Sequence, residues 1–278
     1  MVAEASTPLG DLSKYFIRAL ARQDIIFGLT YRRRNLIPTS LWFDSSCFDK
    51  IDRFLGLTMS LIPLLEELCC LAEDIKTNQK RDRKHQDQLN FCDEESHRDE
   101  TNDIGILAIV SSQEATLLNQ DDRVQNLQHR ISTWRPFIND GMGSFLAKRK
   151  YLLQAQAFRS AALLYLHRLC HPAGLSQQSD AIALNMAYDV LLSCHEDLAD
   201  VRMILWPLFV CGCEVKSASD RQLVLGLLDR NHRERGTYTP LRTTEFLVQR
   251  LWPAVDAGNT NCNWMDLVED FPGDFAPL

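Results

Sequence analysis

The sequence predicts an all-α protein, an irregular bundle of stacked antiparallel helices carrying one polar insert. Three observations lead there. Apolar residues recur at helical spacing over long stretches, most clearly at Leu61, Leu64, Leu65, Leu68, Leu71, Ala72 and Ile75. Cap and stop residues fall between those stretches, as at Thr239-Pro240 and at Pro172 with Gly174. No period-two alternation of comparable strength appears, and no helical-array repeat of about 33–47 residues is visible.

Taken in order, Leu12, Phe16, Leu20 and Phe27, with Ile17 and Ile26 beside them, set a first helix from Asp11 to Tyr31, ended by Arg32-Arg33-Arg34 and Pro38. Asp49 to Leu55 reads as a short helical piece stopped by Gly56. The helix from Leu61 tolerates Pro63 in its first turn, where the missing N–H is not needed. Residues 76–103 are nearly all charged or amide side chains, with Leu89 and Phe91 as their large apolar residues. Such a segment buries too little surface to offset its ordering entropy, so it reads as a disordered insert or solvated spacer. Helix resumes near Ser112 and runs through Leu117, Val124, Leu127, Ile131 and Trp134 to Pro136, and Gly141 to Gly143 mark a loop.

Tyr151 to Cys170 is a long Ala/Leu helix, and Asp180 to His195 repeats the helical period through Ile182, Ala183, Met186, Val190 and Leu191. Val201 to Val215 contains an apolar block with no solvent-facing stripe and is read as a buried helix. Its apolar length is well short of the ~20 residues a bilayer requires. Ser219 to Gln222 gives a capping-box pattern for a helix from Asp220 to about Glu234, with Gly236 as its stop. Thr239 followed by Pro240 starts another helix. Asn263 to Glu269 is the last short one, followed by an acidic tail at 271–278 that is read as flexible.

Composition narrows the function classes. The 278 residues carry a net charge of −7, with 45% hydrophobic and 24% charged residues, enough to build one core through a single domain, 1–278. Nucleic-acid binding by counterion release favours a basic surface, and this chain is acidic. The nine cysteines are scattered, several within apolar helical runs, which suits free thiols in a reducing compartment. The N-terminus shows neither the basic nor the apolar region of a signal peptide, so the expectation is a soluble intracellular protein.

Six blocks, in order along the chain, carry a family resemblance. They are YRRRNLIPTSLWFD from Tyr31, IDRFLGLTMSLIPLLEELCCLAEDI from Ile51, RISTWRP from Arg130, FRSAALLYLHR from Phe158, LWPLFVCGCE from Leu205 and NWMDLV from Asn263. Together they resemble the fungal-specific transcription factor domain, the regulatory region of fungal zinc-binuclear-cluster transcription factors. The resemblance implies a transcription regulator in the nucleus rather than an enzyme. It also implies protein partners from the transcription machinery or another regulator. The family's DNA-reading element is six cysteines holding two zinc ions, and this sequence has no Cys-x-x-Cys pair. Either the chain is a fragment or it is a regulator without the cluster, and direct DNA binding by this chain alone is not expected. Alternatives left open are an all-α enzyme with an unidentified site and a helical interaction scaffold.

Other clusters read as structural. His167, Cys170 and His171 share a helix end, where histidine is favoured by the dipole, and no carboxylate completes a metal pattern. Asp121-Asp122 lacks the further acids of a magnesium–diphosphate site and is assigned to a solvated helix face. Arg32-Arg33-Arg34 is assigned to a helix end in preference to an import signal. Gly141-x-Gly143 lacks the third glycine and preceding strand of a phosphate loop. No catalytic, cofactor-binding or metal residue is assigned. The C-terminal stretch alternates acids with Trp264, Met265, Leu267, Phe271 and Phe275, the composition of an activation segment. Within it, packing is favoured for Trp264 and Leu267. Truncating Trp264 is expected to cost less than truncating Trp206, because its helix is terminal.

Overall fold

The computed structural model describes residues 10–44, 51–52, 54–92, 120–138, 144–194, 204–235, 239–257 and 263–269. Among the described residues the protein is all-α. Nine helices are α1 (Asp11–Tyr31), α2 (Ile62–Cys92), α3 (120–133), α4 (Phe145–Cys170), α5 (Gln177–Ser193), α6 (Leu205–Gly212), α7 (Ala218–Arg235), α8 (Thr239–Asp256) and α9 (Trp264–Glu269). The short 3₁₀ turns Thr39–Leu41 and Met59–Leu61 precede α2.

Helix α4 is the axis of the fold. It packs along α5 and crosses α6, while α1 lies on α2 and α9, and α6 is flanked by α7 and α8. The reason is compositional. Small residues Ala155, Ala157, Ala161 and Ala162 are all buried on α4 and let neighbouring backbones approach, while Phe158, Leu164, Tyr165 and Leu166 fill the space between. All eight residues of α6 are buried, as the apolar block requires. Gly212 ends it where a Cβ would stand 3.2 Å from Val224 and 3.3 Å from Val248, so α7 and α8 close directly onto its backbone. The Trp252 indole of α8 then donates to the Gly212 carbonyl at 2.9 Å.

Several boundaries differ from the sequence reading. Helix α2 continues to Cys92, through the first part of the 76–103 segment that composition assigned to a disordered insert. Lys, Arg and Gln are good helix formers once a helix is nucleated by packing upstream. Two long-range bonds hold the extension's first turns: Lys76 Nζ to the Tyr31 carbonyl at 2.8 Å, and Asn78 to Gln120 of α3 at 3.2 Å. Residues 93–103 lie outside the described residues, as do Ser112 to Leu117, the Gly141–Gly143 loop and the tail 271–278.

Among the described residues around Asp52 there is no helical piece. Asp52 and Gly56 exchange backbone hydrogen bonds across a tight turn, with the Asp52 carboxylate accepting from the Phe54 and Leu55 amides. Gly56 has φ +57°, and a Cβ there would lie 2.2 Å from Gln154 Oε1 of α4, so glycine is required on both counts. Helix α7 begins at Ala218, earlier than expected, because Ser217 rather than Ser219 is the cap. The Ser217 hydroxyl accepts from the Asp220 amide at 3.0 Å and donates back to its carboxylate at 2.5 Å. Helices α4 and α5 also start earlier, on the Ser144 and Ser176 side-chain caps.

Candidate functional site

Where α4, α5, α6 and α9 meet, ionised side chains lie inside the protein. Arg168, in the last turn of α4, is 3% exposed. Its Nε and Nη2 donate to the two oxygens of Glu214 at 2.8 and 2.7 Å, a bidentate pair just past the end of α6. Its Nη1 donates to Asp180 Oδ1 at 2.7 Å and to the His171 carbonyl at 3.3 Å. The Trp264 indole N–H of α9 donates to Glu214 Oε1 at 3.2 Å. Burial alone would lower the Arg168 pKa, but the bonds and charge of Glu214 and Asp180 outweigh it and raise it, so the guanidinium stays charged. Asp180, in the first turn of α5, also accepts from the Gly174 amide. Its pKa is held below the usual range because those bonds overcome the opposing effect of burial.

An aromatic cluster covers this network. Trp264 stands edge-on to Phe209 at 5.5 Å and is tilted against Tyr165 at 6.0 Å. Trp206, 1% exposed, packs against Phe158 and Tyr165. The Tyr165 hydroxyl donates to the Leu29 carbonyl of α1 at 2.6 Å. Arg32 caps α1 in the left-handed region at φ 50° and reaches Asp266 of α9 at 2.5 Å. Helix α9 is therefore tied down twice, through Trp264 to the buried charges and through Asp266 to the end of α1.

The network is a meeting of motifs. Arg168 closes the block FRSAALLYLHR, Glu214 closes LWPLFVCGCE, Arg32 lies in YRRRN, and Trp264 and Asp266 lie in NWMDLV. Four of the six blocks are thus parts of one physical unit. A family model described as a fungal specific transcription factor domain matches residues 4–274. The chain belongs to the fungal-specific transcription factor domain family. It is a fungal transcription regulator in that general sense, and nuclear location is typical of such factors. Neither the search of curated proteins nor the search of solved structures returned a match.

The remaining sequence candidates fall into place around the family fold. The arginine run is absorbed by acids: Arg32 by Asp266, Arg33 by Asp24 at 3.7 Å, and Arg34 by Glu73 and Asp74 at 2.6 and 2.8 Å. Asp121 and Asp122 lie exposed on α3. His167 and His171 have ring centroids 4.8 Å apart, but His167 Nε2 is engaged with the backbone and hydroxyl oxygens of Ser179. Among the described residues no group of three His, Cys, Asp or Glu is placed to hold a metal ion, and no helix is long and apolar enough to cross a membrane.

Cys69, Cys70, Cys170, Cys194, Cys211 and Cys213 are free thiols. Burial pushes Cys170 up to about 11 and Cys194 up to about 12, and carries Cys69, Cys211 and Cys213 well above the ordinary thiol range. They are therefore protonated at neutral pH and are poor nucleophiles or ligands. A surface hollow of ≈ 280 Å³ between α7 and α8 is lined mostly by polar groups, among them Gln222, Asp229, Arg242 and Glu245. Small-molecule sites are mostly apolar, and this hollow is not built that way.

Reading the sequence missed the Arg168–Glu214–Asp180 network. Its signal was present: single charges of opposite sign, Arg168 and Glu214, terminate two otherwise buried apolar runs. A charge in such a place is almost never buried without a partner.

Proposed function

We propose that the chain is the regulatory and interaction module of a fungal transcription regulator. It works in the nucleus through protein partners, without DNA readout of its own and without catalysis. The observation that carries this reading is the family match across residues 4–274. Electrostatics support it. The net charge is −7, and arginines that a DNA surface would leave available are engaged by carboxylates of the same chain, as at Arg34, Arg123 and Arg130. The chemistry of the interior supports it as well, since Cys69, Cys70, Cys170, Cys194, Cys211 and Cys213 are buried or half-buried and the buried Arg168 and Glu214 are taken up by one another. The module acts as a single domain, 1–278, in which the acidic, aromatic-bearing residues 271–278 contribute a contact for the transcription machinery.

Two measurements test the reading. The 278-residue chain alone should bind random and genomic duplexes weakly, with no sequence preference and with affinity that falls as salt rises. Fused to a heterologous DNA-binding domain and targeted to the nucleus, it should change transcription of a reporter bearing that domain's site. Sequence-selective binding by the chain alone, or a fusion that leaves the reporter unchanged at normal abundance, overturns the proposal.

A further inference from the structure

Helix α1 buries Ala21, Ile25, Ile26 and Leu29 against the core, yet Leu12, Phe16 and Leu20 are 69%, 56% and 54% exposed. Spaced four residues apart, the three form one continuous row on the helix. Monomeric proteins seldom leave large apolar side chains aligned in water without a use for them. We propose that this row is a weak interface between two copies of the chain, with the two α1 helices antiparallel across a two-fold axis at Phe16.

The pattern around Phe16 fits that occupant. A two-fold interface joins one patch to itself, so the patch must be self-complementary. Leucine stands four residues before and four after Phe16, at Leu12 and Leu20. A small residue stands three before and three after, at Ser13 and Ala19, and a basic residue two before and two after, at Lys14 and Arg18. In an antiparallel pair Leu12 therefore meets Leu20 of the second copy, Phe16 meets Phe16, and the small residues leave room for the helices to approach.

Charge agrees. The row is uncharged, and both flanking cations are already neutralised within the chain. Lys14 Nζ lies 2.6 Å from Asp44, and Arg18 Nε lies 3.3 Å from Asp52 as an ion pair without hydrogen-bond alignment. Two copies therefore meet without setting bare like charges against each other, and a strongly charged partner finds no counter-charge in the row. The size sets the strength. Three side chains and their small neighbours amount to roughly half of the ~800 Å² per partner in a standard interface, so the dimer is concentration-dependent and not obligate.

The test is sedimentation equilibrium of the full 278-residue chain over a wide concentration range. The wild type should show a reversible monomer–dimer equilibrium. Phe16→Glu and Leu20→Glu should each weaken it at least tenfold while leaving the thermal melt unchanged at the lowest concentrations, where the chain is monomeric, because both positions face water. Cysteine cross-linking reads the geometry. A Phe16→Cys variant should cross-link to itself under mild oxidation, and a mixture of Leu12→Cys and Leu20→Cys chains should yield the mixed dimer in preference to either self-linked pair. Peptide mass mapping assigns each bond. A wild type that stays monomeric throughout overturns the proposal, as does a dimer that survives Phe16→Glu. Self-linking of Leu12→Cys in preference to the mixed pair overturns the antiparallel arrangement.

Discussion

Helix α4 buries a polar side chain at its C-terminal end and another in its interior, and it treats the two in opposite ways. At the C-terminal end the Arg168 guanidinium is taken up by Glu214, Asp180 and a backbone carbonyl. Further up the helix, nine residues in from Phe145, Gln154 is fully buried, and neither atom of its amide finds a hydrogen-bond partner among the described residues. Charge explains the contrast. An unpaired ion inside a protein is prohibitive, whereas an unpaired amide costs a few kcal/mol and is tolerated where packing demands the shape. Gln154 fills the space that Gly56 leaves open, since a Cβ on Gly56 would strike Gln154 and Tyr151. The C-terminal end of α4 is specified by electrostatics and its interior at Gln154 by volume.

The strongest way to break the comparison is Glu214→Ala. It leaves Arg168 buried with Asp180 as its remaining carboxylate and strips the Trp264 indole of its acceptor. Breaking a buried pair on one side typically costs ~3–5 kcal/mol. A double variant, Arg168→Met with Glu214→Leu, should recover most of that loss, because the penalty lies in the orphaned charge. Chemical denaturation of the single variants and the double variant gives the coupling. If Glu214→Ala melts like the wild type, the pair is not the organising contact.

Trp206→Ala and Trp264→Ala come next. Truncation of a buried Trp typically costs ~3–5 kcal/mol, and Trp206 falls in that range. The sequence placed Trp264 below it, as part of a terminal helix. The structure moves Trp264 up: it is 3% exposed, touches Phe209 and Tyr165, and bonds Glu214. The two denaturation midpoints should fall by similar amounts. A clearly smaller drop for Trp264→Ala restores the terminal-helix view.

Gln154→Met sharpens the other side of the comparison. It keeps the side-chain volume and removes the unpaired amide, so it should stabilise by about 1 kcal/mol. A destabilised Gln154→Met variant, measured by the same denaturation, refutes the view that volume alone fixes this position.

The smallest effect belongs to His167, beside the charged network. Burial lowers its pKa most, opposed by the Ser179 backbone bond and assisted by His171 and Arg168. A histidine with a lowered folded pKa binds its proton more readily when unfolded. Its contribution to stability is therefore complete above the ordinary value of about 6.5 and declines as pH falls toward the folded pKa. Asp180, also lowered, contributes above the ordinary carboxylate range and loses its contribution only at lower pH, so the two windows separate. Between pH 7 and pH 5.5 the wild type should lose more stability than His167→Asn. Equal losses in thermal melts across that range remove His167 from the pH response.

Much of the architecture was legible before any contact was known, because helices announce themselves locally. The span of α1 from Asp11 to Tyr31, the burial of the α6 block and the last helix through Trp264 all follow from period, caps and apolar runs. A period says that a helix has a face, not which neighbour will cover it. The row Leu12, Phe16 and Leu20 announced α1 and then turned out to face water, since Ile25, Ile26 and Leu29 meet the core instead. The first polar turn of α2 beyond Ile75 is tied to Tyr31 and Gln120, each more than forty positions away in sequence. The meeting of Arg168 with Glu214, forty-six positions on, likewise existed only once α4 and α6 had crossed. Local chemistry determined the helices. Long-range packing decided which charges to bury together, because only the folded chain brings a guanidinium and a carboxylate close enough for their attraction to offset the loss of water.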